Sequence, residues 1–160
     1  MSGRTAFDVD LARTLIDRKR DARGSMLPIL HDLQAQFGYI DERVIPLIAD
    51  ALNVSRAETL GVISFYHDFH RSPIDGRVLK LCRAESCQAM GCEELVSHLA
   101  GRHGITVDDE DTSSALHVET VYCLGNCALS PSALLDGEPI GRLDRDRIDA
   151  IVADAQGKTQ

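Results

Sequence analysis

Four cysteines carry the clearest chemical signal in this chain: Cys82 and Cys87 form a C-x4-C pair, and after a gap of 35 residues Cys123 and Cys127 form a C-x3-C pair. Two thiolate pairs on two separate turns suit a [2Fe-2S] rhomb, in which each iron completes its tetrahedron with two terminal sulfurs. Structural zinc takes ligand pairs roughly two to four residues apart, so zinc is compatible with this spacing but loose at both ends. The plant-type C-x4-C-x2-C run is absent, no histidines are paired with cysteines as a Rieske centre needs, and no C-x-x-C dithiol occurs. Disulfides stay open on spacing alone.

The other candidate groups carry less. Cys92 falls at the predicted start of the helix after the first cysteine loop and reads as a buried, inert side chain. His31, His67, His70, His98, His103 and His117 form no H-x-x-x-H pair with neighbouring carboxylates, and the close pair His67 and His70 suits an interface or surface better than a metal. The acidic run Asp108-Asp109-Glu110-Asp111 lacks the spaced ligands and turn glycine of a calcium loop, and reads as a solvated loop. There is no G-x-S-x-G elbow, P-loop or G-x-G-x-x-G turn, so neither a substrate nor a nucleotide has an evident seat, and no catalytic residue is expected.

Composition narrows the setting. The chain has 160 residues, 44% of them apolar, which is enough for one or two domains with real cores. A net charge of −8 and a pI near 5.1 argue against a nucleic-acid partner, which needs clustered Lys and Arg. The first ten residues mix Arg4, Asp8 and Asp10 with no apolar stretch after them, and nowhere do about 18 apolar residues run together. Neither secretion nor membrane insertion is expected. A cytoplasmic setting is, and in a reducing compartment closely spaced cysteines bind metal more often than they cross-link.

The elements around the cysteines fall into two halves. Up to about Gly76 the chain reads as helix. Leu11, Leu15 and Ile16 recur at helical spacing, as do Met26, Ile29, Leu30, Leu33 and Phe37, with Gly38 placed to end that helix. Asp41 is a candidate cap for a third helix through Val44, Ile45, Leu47, Ile48, Ala51 and Leu52, and Asn53 offers a left-handed stop. Ser55-Arg56-Ala57-Glu58 has the form of a capping box opening a fourth helix that leads into Phe65 and Tyr66. A four-helix bundle over 1–72 follows.

The turn-rich stretch Arg71-Ser72-Pro73-Ile74-Asp75-Gly76 marks a boundary, and a second domain is expected over 77–160. Its order is a strand over Arg77–Leu81, a helix over Glu93–Arg102, a strand over Leu116–Tyr122, a short strand over Ala133–Leu135, a hairpin turn at Asp136-Gly137 and a final helix over Arg142–Ala155. That is the pattern of a small thioredoxin-like α/β layer, making the whole chain α+β. Each cysteine pair then sits just past a strand end, in a loop rich in small residues, where neighbouring loops converge. Most of the negative charge, net −6 against −2, lies on this cysteine half. Residues 48–60 also resemble the two helices of a helix-turn-helix, so a redox-sensing regulator is the rival class. Glu58, Val62, Ile63, Phe65 and Tyr66 make that segment a poor groove reader.

The combination resembles the thioredoxin-like [2Fe-2S] subunit of respiratory NADH:quinone oxidoreductase, NAD-reducing hydrogenases and NAD-dependent formate dehydrogenases. The resemblance spans nearly the whole chain and is carried by Gly61-Val62-Ile63-Ser64-Phe65-Tyr66, by the cysteine spacing and by Cys123-Leu124-Gly125-Asn126-Cys127-Ala128. It implies that Cys82, Cys87, Cys123 and Cys127 hold one [2Fe-2S] cluster and that Cys92 does not. Phe65-Tyr66-His67-Asp68-Phe69 and Cys82-Arg83-Ala84-Glu85-Ser86-Cys87-Gln88 are most similar to the gamma subunit of soluble NAD-dependent formate dehydrogenase. The resemblance then implies an FMN- and NADH-binding flavoprotein partner, a large molybdopterin iron-sulfur subunit in the same complex, and an electron-transfer role beside that FMN. FMN, NAD and the molybdenum cofactor would sit on the partners. Arg83 is expected to raise the cluster potential and Glu85 to lower it.

Overall fold

In a computed structural model describing residues 6–109 and 113–157, the chain divides into two units, Met1–Pro73 and Ile74–Gln160. Arg4 of the N-terminal stretch, and Glu110 and Asp111 of the acidic run, lie outside the described residues.

Four helices make up the first unit: α1 (Val9–Lys19), α2 (Met26–Phe37), α3 (Val44–Leu52) and α4 (Arg56–Phe65). Their apolar stripes meet in one core that includes Ala12, Ile16, Leu30, Leu33, Ile48 and Ile63. The ends are set locally. Asp8 accepts from the backbone N–H groups of Asp10 and Leu11 at 2.8 and 2.9 Å, Gly38 (φ 83°) closes α2, and Asn53 (φ 53°) closes α3. The capping box forms: Glu58 N–H donates to Ser55 Oγ at 3.0 Å while Ser55 N–H donates to Glu58 Oε2 at 2.8 Å. Asp41 acts one turn earlier than expected. Its carboxylate accepts from the Arg43 backbone and guanidinium and from Tyr39 Oη, ordering the turn before α3, and no side chain caps that helix.

The second unit is a four-stranded sheet, β1 (Arg77–Cys82), β2 (Leu116–Val121), β3 (Ala133–Leu135) and β4 (Glu138–Ile140), in the spatial order β2-β1-β3-β4. Between β1 and β2 run α5 (Glu85–Ala89) and α6 (Cys92–His103), and α7 (Arg145–Gly157) follows β4. β1 and β2 are parallel, in register from Arg77 opposite Leu116 to Cys82 opposite Val121, and β3 and β4 add antiparallel. The helical crossover is what a parallel pair requires. Leu79 and Leu81 of β1, Leu116 and Val118 of β2, Leu95 and Leu99 of α6, and Ile148 and Val152 of α7 form the core on one face.

Two elements depart from expectation. The final helix begins at Arg145 instead of Arg142, because Arg142 has φ 53° and cannot continue a right-handed helix, and Asp144 Oδ1 then accepts from Arg147 N–H at 2.8 Å to cap it. The first cysteine loop contains α5, a five-residue helix too short to show periodicity. Asp136 and Gly137 adopt φ 52° and 89° at the hairpin turn, and Asp136 also accepts from Val78 N–H at 3.0 Å, tying the turn to β1.

The segment after β4 seats the second cysteine loop. Arg142 N–H donates to Leu129 carbonyl oxygen at 2.6 Å and Leu143 N–H to Pro131 carbonyl oxygen at 2.9 Å. The approach is so close at Gly141 that an added Cβ would lie 2.5 Å from Leu129 Cβ and 2.8 Å from its carbonyl oxygen. Gly141→Ala should therefore displace the loop and cost about 1–3 kcal/mol in urea unfolding. In the helical unit, hydrogen bonding to Arg43 first of all holds the Asp41 carboxyl at about 2, below the ordinary 3.8. A depressed folded-state value stabilises above the unfolded value and is lost as pH falls through the folded one. Asp41→Asn should cost about 1–2 kcal/mol at neutral pH, and should remove part of the stability loss that the parent chain shows between about pH 4 and pH 2.

Candidate metal centre

The parallel pairing of β1 with β2 sends both cysteine loops off the same edge of the sheet. Cys82 is the last residue of β1 and Cys87 sits on α5, while Cys123 lies two residues beyond β2 and Cys127 opens a 3-10 turn, Cys127–Leu129. Cys123 (φ 68°) and Gly125 (φ 73°) take left-handed backbone between the two sulfurs of the second loop. For a residue with a Cβ that conformation costs about 1–2 kcal/mol, so strain is held at one of the four cysteines.

All five cysteines are free thiols; Cys82 and Cys87 are buried, and Cys123 and Cys127 are exposed. The sulfurs group in pairs. Cys82 acts on Cys87, and Cys123 on Cys127, whose thiol is pushed up first by Cys123, then by burial and by the charges of Cys87 and Cys82. No three of these sulfurs lie mutually within 4.8 Å. A single tetrahedral zinc ion with Zn–S near 2.3 Å would draw all four to about 3.8 Å of one another. Two pairs of cysteines, one from each loop, are the donor set that two bridged irons take.

Hydroxyl groups surround the buried pair. Ser130 Oγ lies 3.5 Å and Ser132 Oγ 3.7 Å from Cys87 Sγ, and Ser130 also donates to the Cys127 carbonyl oxygen at 2.9 Å. Ser86 Oγ, from the first loop, is 2.9 Å from Ser130 Oγ. Burial raises the Cys87 thiol, but hydrogen bonding with Ser130 and Ser132 outweighs it and leaves the thiol below its ordinary value. The Cys87 thiol donates to Ser130 Oγ, whose own proton goes to the Cys127 carbonyl oxygen, so Ser132 is the hydroxyl that can donate to a Cys87 thiolate. Cys92 behaves oppositely. It is fully buried at the start of α6, and burial first, then the charges of Glu93 and Cys87, pushes its thiol up to about 11.

From the sequence, Arg83 in the first loop is expected to raise the cluster potential. Its guanidinium forms a two-pronged ion pair with Glu93, at 2.8 Å on both contacts, so much of its field is cancelled locally. Reasoning from spacing also passed over the serine hydroxyls and Gly141. The run Ala128-Leu129-Ser130-Pro131-Ser132 reads as small turn residues, and only the fold shows that two of its hydroxyls face Cys87. It passed over Met90, Tyr122 and Leu129 as well, three exposed apolar side chains carried on or beside the two loops. No helix among the described residues is long and apolar enough to cross a membrane.

The donor set, two close thiol pairs with hydroxyl donors and no carboxylate or imidazole among them, fits a [2Fe-2S] cluster. Comparison with known proteins agrees. The chain is 33% identical over 135 residues to an E-type subunit of the NADH-quinone oxidoreductase of Rhizobium meliloti (strain 1021), covering 84% of this chain and 80% of that one. It is 27% identical over 131 residues to the NADP-reducing hydrogenase subunit HndA of Solidesulfovibrio fructosivorans, covering 82% and 77%. Among solved structures it superposes on an NAD+-reducing [NiFe]-hydrogenase in the air-oxidized state with a TM-score of 0.71 at 26% identity, covering 90% of this chain but only 24% of that one. A family model matches residues 12–156, from the first helix to the last, and by that match the chain belongs to the thioredoxin-like [2Fe-2S] ferredoxin family.

Proposed function

We propose that this chain is a one-electron relay: a subunit holding one [2Fe-2S] cluster on Cys82, Cys87, Cys123 and Cys127 within an NADH-quinone oxidoreductase or NAD-reducing hydrogenase type of complex. The placement of two cysteines in each of the loops that follow the paired strands β1 and β2 carries the reading. When bound, such a cluster takes up and releases electrons singly. The chain's own residues do the rest. The buried pair, with Ser130 and Ser132 packed on Cys87, excludes water, and the Ser132 hydroxyl can donate a hydrogen bond to a thiolate there. The exposed pair Cys123 and Cys127 gives the site an open side, where Met90 (61% exposed) and Tyr122 (74% exposed) supply apolar area for a partner. That partner would be an FMN- and NADH-binding flavoprotein subunit. No substrate site of its own is assigned to this chain, and its setting is cytoplasmic.

Within this class the short segments around Phe65 and Cys82 favour a soluble NAD-dependent formate dehydrogenase complex with a molybdopterin iron-sulfur subunit. We assign residues 1–72 to a four-helix bundle domain and 77–160 to the cluster domain. The rival reading as a helix-turn-helix regulator is weakened by α4, where Leu60 and Phe65 are exposed and the single basic residue is Arg56.

Dithionite reduction should give a single S = 1/2 [2Fe-2S] electron paramagnetic resonance signal. Cys82→Ser, Cys87→Ser, Cys123→Ser and Cys127→Ser should each alter or abolish it, and an unchanged signal in all four would overturn the ligand assignment. Cys92→Ser should leave it intact. Mass spectrometry of the native complex should find a flavoprotein subunit with this chain. A molybdopterin subunit would select formate dehydrogenase, a nickel subunit hydrogenase, and membrane subunits the quinone oxidoreductase.

A further inference from the structure

Away from the cysteines, the two helices that cover the sheet's apolar face bring a second donor set together. His98 Nε2 and His103 Nε2, both on α6, each lie 2.6 Å from the same oxygen, Oδ1 of Asp149 on α7. The rings meet edge to face, with centroids 5.6 Å apart. Arg102 Nε contacts the other carboxylate oxygen at 3.1 Å. Among the described residues this is the one group of three or more such side chains whose ligand atoms all lie within 4.8 Å of one another. The two imidazoles are 15% and 16% exposed and Asp149 is 30% exposed, so the set is partly shielded from bulk water.

As a purely hydrogen-bonded cluster it is crowded. If both rings are charged, two imidazolium cations and a guanidinium press on one carboxylate. If both are neutral, each directs its proton from Nε2 at the same oxygen and takes up both of its lone pairs. A borderline divalent cation would satisfy the same three groups, because it takes neutral imidazole nitrogens and an ionised carboxylate as its ordinary donors at about 2.0–2.2 Å. We infer that His98, His103 and Asp149 form a second metal site, for zinc or a similar divalent cation, that staples α6 to α7 independently of the cysteines.

Two features suit it. The Arg102 contact ties up Oδ2 and leaves Oδ1 as a one-point ligand, although its positive charge takes back some affinity. An open depression of about 530 Å³ reaches the His98 side of the site, with Arg102 and Arg145 also on its wall. Seating it requires the nitrogens to move from 2.6 Å to about 3.3 Å from Oδ1, a small side-chain rotation, and three protein ligands leave a position for water. The pattern escapes a search for histidines one turn apart. His98 and His103 are five residues apart, about 140° around the helix, and converge only because Asp149 comes between them from α7.

The test is a zinc chloride titration of the full chain with ¹⁵N-labelled histidine, reading the imidazole nitrogens by NMR. His98 and His103 should shift together and saturate, while His31, His67, His70 and His117 stay in place. Zinc captured by the cysteines moves neither ring, so loss of the cluster assignment leaves this readout unaffected. Asp149→Asn and His103→Gln, each verified as folded by circular dichroism, should weaken the response roughly tenfold to a hundredfold. A shift in one ring alone, no shift, or an unchanged response in folded Asp149→Asn would overturn the site.

Discussion

The parallel, in-register pairing of β1 with β2 is the constraint on which the cysteine site depends. Each strand ends in a loop that carries two sulfurs, and because Cys82 stands opposite Val121 the loops leave the sheet side by side. A shift of one residue would turn every side chain of a strand to the other face. The same strands anchor the core beneath, so site geometry and domain stability share one set of contacts: Leu79, Leu81, Leu116 and Val118 hold the register, and α6 and α7 hold those residues.

On top of that frame, the two loops are fastened to each other by short polar contacts. Ser130 touches Cys87 in one loop and the Cys127 carbonyl in the other, with Ser86 completing the link. Gly141 and Arg142 press on the second loop from outside. The sulfur pairs are therefore placed by loops wedged between strand ends and the start of the last helix, and the left-handed backbone at Cys123 is tolerated because its surroundings over-determine it.

Much of this was legible in the sequence. Periodicity, the Gly38 and Asn53 stops and the Ser55–Glu58 box locate the helices because they are local signals with local causes. The cysteine spacing narrows the chemistry to iron-sulfur, zinc or disulfides, and only the family resemblance singles out the first. What spacing could not give was anything made by long-range contact: α5 is shorter than the period that would reveal it, and Arg142 reads as a helical residue until its backbone is seen to turn left-handed. Arg83 looks like a free cation until Glu93, ten residues on, takes it up. Ser132 looks like a turn residue until the fold lays it against Cys87. His98, His103 and Asp149 are 51 residues apart at the extremes, and no one-dimensional pattern joins them.

The 35 residues between the two cysteine pairs also impose an order on assembly. The first pair is made early in the chain's synthesis, but its counterpart cannot be positioned until the crossover through α6 is complete, β2 has docked and the hairpin has returned to press Gly141 on Leu129. Contacts between distant segments form only after the entropy of closing the intervening loop has been overcome. The convergence of the two cysteine loops is thus a late product of folding.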